Sequence, residues 1–196
     1  MNDLIRKTRT YRRFHQDRAI SRETLTELVE LARLGGSARN CQPWQYQLVT
    51  DSETAAAIFP HLGWAGYLSD WRGPEQGERP SAYVLCLLNR QRLKGSDAEA
   101  QFDLGIATQN LLLGAMEQGI GGCRIGSFAP HVARLFQMPE HLELSLVIAL
   151  GYPRETVVLE ETDGDDIRYW RDQNSIHHVP KRKLSELIVE LPRQAG

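Results

Sequence analysis

Two basic clusters stand near opposite ends of the chain: Arg9, Arg12 and Arg13, with the Thr10 hydroxyl among them, and Lys181-Arg182-Lys183. Guanidinium and ammonium groups brought onto one phosphate would neutralise a dianion through charge-assisted, partly bidentate hydrogen bonds. If the clusters do not converge, each is a solvated charged face. Residues 1 to 22 carry seven Lys/Arg against Asp3 and Asp17, a local +5 in a chain whose net charge is −2, which leaves −7 for the rest. Duplex nucleic acid would meet repulsion over most of such a surface, so a small phosphate fits better than a polyanion and no nucleic-acid partner is expected. Side chains one apart in an extended segment face opposite ways, and spacing alone leaves open which of Arg12 and Arg13 points inward.

Other chemistries find less support. His177 and His178 are adjacent and have no Cys, Asp or Glu partner at a recognised spacing, so no metal is expected. No GxSxG occurs, and nothing ties Cys41 to any of the six histidines as a nucleophile. Gly119-Ile120-Gly121-Gly122-Cys123-Arg124 lacks the third glycine of a dinucleotide fingerprint and follows a helical pattern where the fingerprint needs a strand. It reads instead as a helix stop leading into a close approach of backbone to something flat. No GxxxxGK[ST] is present, and the acids at 163–166 read as a solvated turn. Cys41, Cys86 and Cys123 suit neither a disulfide framework nor a zinc knuckle.

The elements that must position these groups follow from periodicity. Leu25, Leu28, Val29 and Ala32 mark an amphipathic helix over 21–34, with Ser21 as N-cap. A turn-rich polar stretch, Gly35 to Pro43, leads to a strand at 44–50 and a short helix at 51–59. Residues 61–79 form an irregular excursion that carries Trp64, Tyr67 and Trp71, a candidate lid or partner contact. A buried strand is expected at 82–89, a long helix at 97–118, a short strand at 123–128, a helix at 130–136 and a strand at 144–150. The long helix is apolar over so wide an arc (Phe102, Ile106, Leu113 and Met116 on one side, Leu111 and Leu112 on another) that it must be buried between layers or between subunits. From Glu155 the chain reads as charged and irregular until a final helix at 184–191. Helices and strands without a βαβ rhythm imply an α+β class, and 196 residues imply one domain. The longest stretch free of Lys, Arg, Asp and Glu, 54–69, is broken by Pro60 and two glycines and cannot span a bilayer. With no secretory pattern at its start, the chain is expected in the cytoplasm.

Five segments in order now combine. Arg9-Thr10-Tyr11-Arg12-Arg13-Phe14, Ser37-Ala38-Arg39-Asn40-Cys41-Gln42-Pro43-Trp44, Asp103-Leu104-Gly105 with Gln109-Asn110-Leu111-Leu112, Gly119 to Gly126, and Ala149-Leu150-Gly151-Tyr152-Pro153 resemble the FMN-dependent nitroreductase family over nearly the whole chain. The tail His177-His178-Val179-Pro180-Lys181-Arg182 resembles the basic end of one branch of it. Thr10 keeps the hydroxyl of the family's usual Ser, and Thr8 stands where many members carry a second Arg.

The resemblance implies a single nitroreductase-like domain over 1–196: a central mixed, mostly antiparallel sheet flanked by helices, in an intertwined homodimer with FMN in grooves between subunits. It implies that Arg9, Thr10, Arg12, Lys181 and Arg182 hold the ribityl phosphate, and that Arg9→Ala or Arg182→Ala weakens FMN. Ser37, Asn40 and Gln42 would bond the ribityl chain and the isoalloxazine, reaching across from the second subunit, and Ile125 and Gly126 would offer backbone groups near N5 and O4. NADH or NADPH would reduce the flavin, which would then reduce a nitroaromatic, quinone or similar small molecule in a ping-pong cycle without a catalytic side chain. Trp64, Tyr67 and Trp71 are candidates for the acceptor pocket. Two other readings remain: a flavin-binding or flavin-storage protein with little turnover, and a phosphate-ligand-binding protein without flavin.

Overall fold

The apolar run after Pro80 becomes β2 (Ala82–Asn89) in a computed structural model that describes residues 1–193, and every residue of this strand is buried. Residues 194–196, the last three of the expected domain, lie outside the described residues. β1 (Trp44–Val49) pairs antiparallel with one edge of β2 and β4 (Leu142–Gly151) with the other; β3 (Gly121–Ile125) closes the order β1-β2-β4-β3, antiparallel to β4. Successive strand side chains point to opposite faces, so β2 must be apolar throughout to serve two cores. Val84 and Cys86 join the helices on one face. Tyr83, Leu85 and Leu87 pack on the other with Ile58, Leu62 and Trp64.

The helical face is built by α2 (Arg22–Arg33) and α4 (Asp97–Glu117). Ser21 caps α2 by accepting a hydrogen bond from the Thr24 amide, and Ser96 and Glu99 form a reciprocal capping box on α4. Leu28 and Ala32 of α2 and Leu104, Leu111 and Leu112 of α4 share a core with Ile148. The wide apolar arc of α4 divides: Leu111 and Leu112 are buried, Leu113 and Met116 half-buried, and Phe102 and Ile106 are 72% and 46% exposed. α3 (Ser52–Ile58), capped by the Asp51 carboxylate, lies with the second core. Two further short helices are α1 (Asn2–Lys7), which periodicity does not flag, and α5 (His131–Arg134).

The chain beyond Glu155 differs from expectation. β5 (Val157–Thr162), β6 (Trp170–Arg171) and β7 (His177–Arg182) form a second sheet in the order β5-β7-β6, with β5 parallel and β6 antiparallel to β7. The parallel pairing expected of a mixed sheet is therefore here, and the central sheet is antiparallel. Glu160 and Glu161 in β5 and Pro180 in β7 mask the strand pattern. Pro180 is tolerated because β6 pairs only with His177 and His178, leaving β7 an open edge from Val179 onward. The helix expected over 184–191 is the single turn α6 (Leu184–Leu187), whose leucines stay 69% and 64% exposed with no apolar face among the described residues to bury them. The 61–79 excursion is tied down at both ends. Gly63 donates to Ser127 O at 2.7 Å, and Gly77 donates to the Gln16 side chain at 2.7 Å.

Candidate functional site

The extended segment after α1 sends Arg12 and Arg13 to opposite sides. Arg13 turns outward to Glu78, with Nε and Nη2 donating at 2.5 and 2.7 Å. Arg12 turns inward and is buried. Glu155 fixes this segment: its fully buried carboxylate accepts from the Arg12 and Arg13 amides and from Arg171 at 2.9 Å.

Arg12 meets Arg9, Thr10, Tyr169, His177 and Lys181 around a cavity of 160 Å³. Next to it, sharing Arg9 and Thr10, lies a cavity of 170 Å³ lined also by Gln109, Gly122 and Arg124. Arg12 Nη1 lies 3.2 Å from His177 Nε2, and its guanidinium lies 4.8 Å from the Tyr169 ring centroid. Burial, reinforced by the charges of Arg12 and Arg171, pushes the His177 pKa down to about 4, so the imidazole is neutral near pH 7. With Arg12 donating to Nε2, the ring proton belongs on Nδ1. That Nδ1, Arg9 Nε and Arg12 Nε are all closed from solvent and have no hydrogen-bond partner among the described residues. Unpaired buried donors are costly, and the arrangement is one that an anion satisfies.

The carboxyl-terminal cluster splits. Strand alternation puts His177, Val179 and Lys181 on the cavity side and turns Arg182 away, where it pairs with Asp165 at 2.9 Å. Lys183 pairs with Asp163, and Arg168 with Asp166, within the solvated turn expected at 163–166, where these acids stay 61–98% exposed. Lys181 thus converges with Arg9 and Arg12, whereas Arg182 and Lys183 do not.

Ser37, Asn40 and Gln42 sit elsewhere in the chain, beside a cavity of 260 Å³ lined by Gly36, Ser37, Gln42, Trp44 and Arg92. Their loop is held by Asp103 of α4. That carboxylate accepts from Ser37 Oγ at 2.7 Å and from the Ala38 amide at 2.9 Å. Asn40 Oδ1 accepts from Gln42 Nε2 at 2.9 Å. Arg39, Asn40 and Gln42 all adopt positive φ (53°, 53° and 47°), which is strained for non-glycine residues and concentrated in this one loop. Ile125 ends β3 buried, Gly126 follows exposed, and neither lines any of these three cavities.

The aromatic candidates separate as well. Trp64, 9% exposed, packs edge-on against Trp71 at 6.5 Å and beside Phe59 at 5.8 Å, while Trp71 lies under the Arg171 guanidinium. Both tryptophans serve the second core, where large rings contribute most. Tyr67 is exposed and packs against Tyr169 with the rings tilted by 52° and 4.9 Å apart, reaching the anion cavity only through that ring. The flat partner expected for the glycine run is Tyr11: a Cβ on Gly121 would stand 2.6 Å from its ring. Gly119 stops α4 with φ +74°.

Sequence reasoning missed Tyr169 and His177 as cavity residues and Asp103 as the loop's anchor. The signal for His177 was its spacing from Val179 and Lys181, which share a face once residues 177–182 are read as a strand. His178, one position on, faces Glu160 and stacks on Trp170 at 4.0 Å.

Comparison with known proteins adds an independent line. The Nitroreductase family model matches residues 5–152. A Methanothermobacter thermautotrophicus protein named for NADH dehydrogenase/NAD(P)H nitroreductase activity is 30% identical over 155 residues, 76% of this chain and 75% of its own. An iodotyrosine deiodinase from Thermotoga neapolitana is 26% identical, covering 77% of this chain and 87% of its own. Among solved structures, a nitroreductase-type protein in complex with FMN from Desulfovibrio desulfuricans superposes with a TM-score of 0.69 at 23% identity, covering 98% of this chain and 96% of that one.

Proposed function

The chain belongs to the nitroreductase family, and we propose that it works as a homodimeric FMN oxidoreductase that passes electrons from NADH or NADPH to a small organic acceptor. The observation that carries the cofactor is the cavity where Arg9 Nε, Arg12 Nε and His177 Nδ1 lack partners beside Lys181. These groups fit a ribityl phosphate: two guanidiniums and an ammonium supply charge, and the neutral His177 donates one directed hydrogen bond. When bound there, FMN would supply the redox chemistry, the transfer of electrons from NADH or NADPH to an acceptor such as a nitroaromatic or quinone in a ping-pong cycle.

This chain's own residues bind and orient. Arg9, Thr10, Arg12, His177 and Lys181 fix the phosphate, and Glu155 keeps the Arg12 backbone from shifting. The Ser37, Asn40 and Gln42 loop lies at a different cavity of the same chain, which supports its serving a second copy's groove. Exposed Phe102 and Ile106 on α4, and Leu184 and Leu187 on α6, give that copy an apolar surface to cover. Among the described residues no helix is long and apolar enough to cross a membrane.

The deciding experiment is an absorbance spectrum between 300 and 550 nm, repeated after anaerobic addition of NADH or NADPH. Flavin bands that bleach, and return when a quinone is added, are the expected outcome. Bands that persist would leave a flavin-holding protein without turnover, and no bands after loading with FMN would overturn the cofactor assignment.

A further inference from the structure

A fourth cavity lies against the second core, between the segment that enters β2 and residues Gln16, Asp17 and Ala19. Residues 79, 81 and 83 alternate along the segment that enters β2, so Arg79, Ser81 and Tyr83 present one face. They line a cavity of 160 Å³ together with Ala55, Ala56 and Phe59. Arg79 Nε, Ser81 Oγ and Tyr83 Oη are each closed from bulk solvent and have no hydrogen-bond partner among the described residues. Tyr83 is fully buried.

The Arg79 guanidinium rests 4.2 Å from the Phe59 ring centroid and makes no ion pair among the described residues. Its backbone amide donates to Gln16 Oε1, which fixes the residue without using the side chain. Asp17 stands at the exposed rim and forms no ion pair with Arg79. One cation and two unpartnered hydroxyls therefore border a space whose remaining wall joins Ala55, Ala56 and Phe59 to the polar Gln16, Thr50 and Ser52. Water alone can fill such a space, but it neutralises no charge.

We propose that this cavity binds a small monocarboxylate, its oxygens on Arg79, Ser81 and Tyr83 and its short apolar chain against Ala55, Ala56 and Phe59. The lining holds one cation, Arg79, and one acid, Asp17 at the exposed rim, which falls well short of the charge a phosphate dianion needs and leaves the half-buried Arg79 for one carboxylate. It shares no lining residue with the cavity of Arg9, Arg12 and Lys181, so its occupancy is independent of the flavin assignment.

Calorimetric titration of the purified protein with butyrate tests this, with butanol and inorganic phosphate as parallel titrants. Butyrate is expected to bind saturably, at least tenfold more weakly in Arg79→Gln and several-fold more weakly in Tyr83→Phe, and as in the parent in Arg9→Ala. Butanol is expected to give no saturable binding. Absence of saturable butyrate binding, unchanged affinity in Arg79→Gln, loss of binding in Arg9→Ala, or tighter binding of phosphate than of butyrate would each overturn the assignment. Should Arg79→Gln fail to fold, Tyr83→Phe decides, because it removes one oxygen from a packed ring; unchanged affinity there is also a refutation.

Discussion

His177 shows how much one buried side chain can settle. Its folded pKa of about 4 lies below the ordinary value of 6.5, so the unfolded chain binds the proton first. Stability from this residue is complete above about pH 6.5 and is lost as pH falls toward 4, by an amount on the order of 1–3 kcal/mol. Chemical denaturation across that window should show His177→Gln losing less stability than the parent; parallel curves would mean that His177 is not held neutral by its surroundings. For the phosphate groups, Arg9→Ala and Lys181→Ala should each weaken FMN by about 1.5–3 kcal/mol, the range for hydrogen bonds to charged groups. Arg182→Ala should leave the affinity within about twofold, far below the ~1.4 kcal/mol of a tenfold change, because that side chain is engaged with Asp165. Flavin fluorescence titration of the three variants separates them. Equal losses for Lys181 and Arg182 would contradict the strand alternation that places only Lys181 at the cavity.

At the scale of elements, α4 serves both halves of the candidate site. In its first half Asp103 holds the Ser37 loop, and at its middle Thr108 and Gln109 accept from Arg124 at 2.9 and 2.8 Å beside the second cavity. Asp103→Ala removes the charged acceptor of the Ser37 hydroxyl and the Ala38 amide and should destabilise the protein by about 1.5–3 kcal/mol. Because three residues of that loop already hold positive φ, the same change should raise proteolysis between residues 37 and 42. An unchanged melting temperature and cleavage pattern would show that the loop is held by something else. Ser96→Ala tests the helix alone: loss of the capping box should cost about 1 kcal/mol without altering FMN affinity.

The molecule leaves large apolar residues uncovered at the outer face of α4 and along α6, and keeps its two sets of candidate flavin contacts at separate cavities. The proposed second copy would resolve both. Sedimentation should give about twice 22.2 kDa. Phe102→Glu, which puts a charge where the apolar surface is 72% exposed, should shift the protein toward monomer and reduce bound flavin in step. Monomer with full flavin content would disprove the shared groove.

Periodicity and caps were enough to specify much of this protein. β2 was legible as a run without polar interruption, α2 from Leu25, Leu28 and Ala32 after Ser21, and α4 from its length and its wide apolar arc. These signals are local, carried by spacing that a helix or strand imposes on its own residues. The second sheet was not legible, because β5 and β7 stabilise each other across some twenty residues and their sequences, with Glu160, Glu161 and Pro180, carry no strand pattern of their own. The same limit governs the site. Sequence placed Arg9, Thr10 and Arg12 in one segment and a basic cluster in another, but only the β7 pairing chose Lys181 over Arg182 and brought His177 and Tyr169 to the cavity. Convergence of distant residues is a property of strand register and packing, and a linear pattern does not contain it.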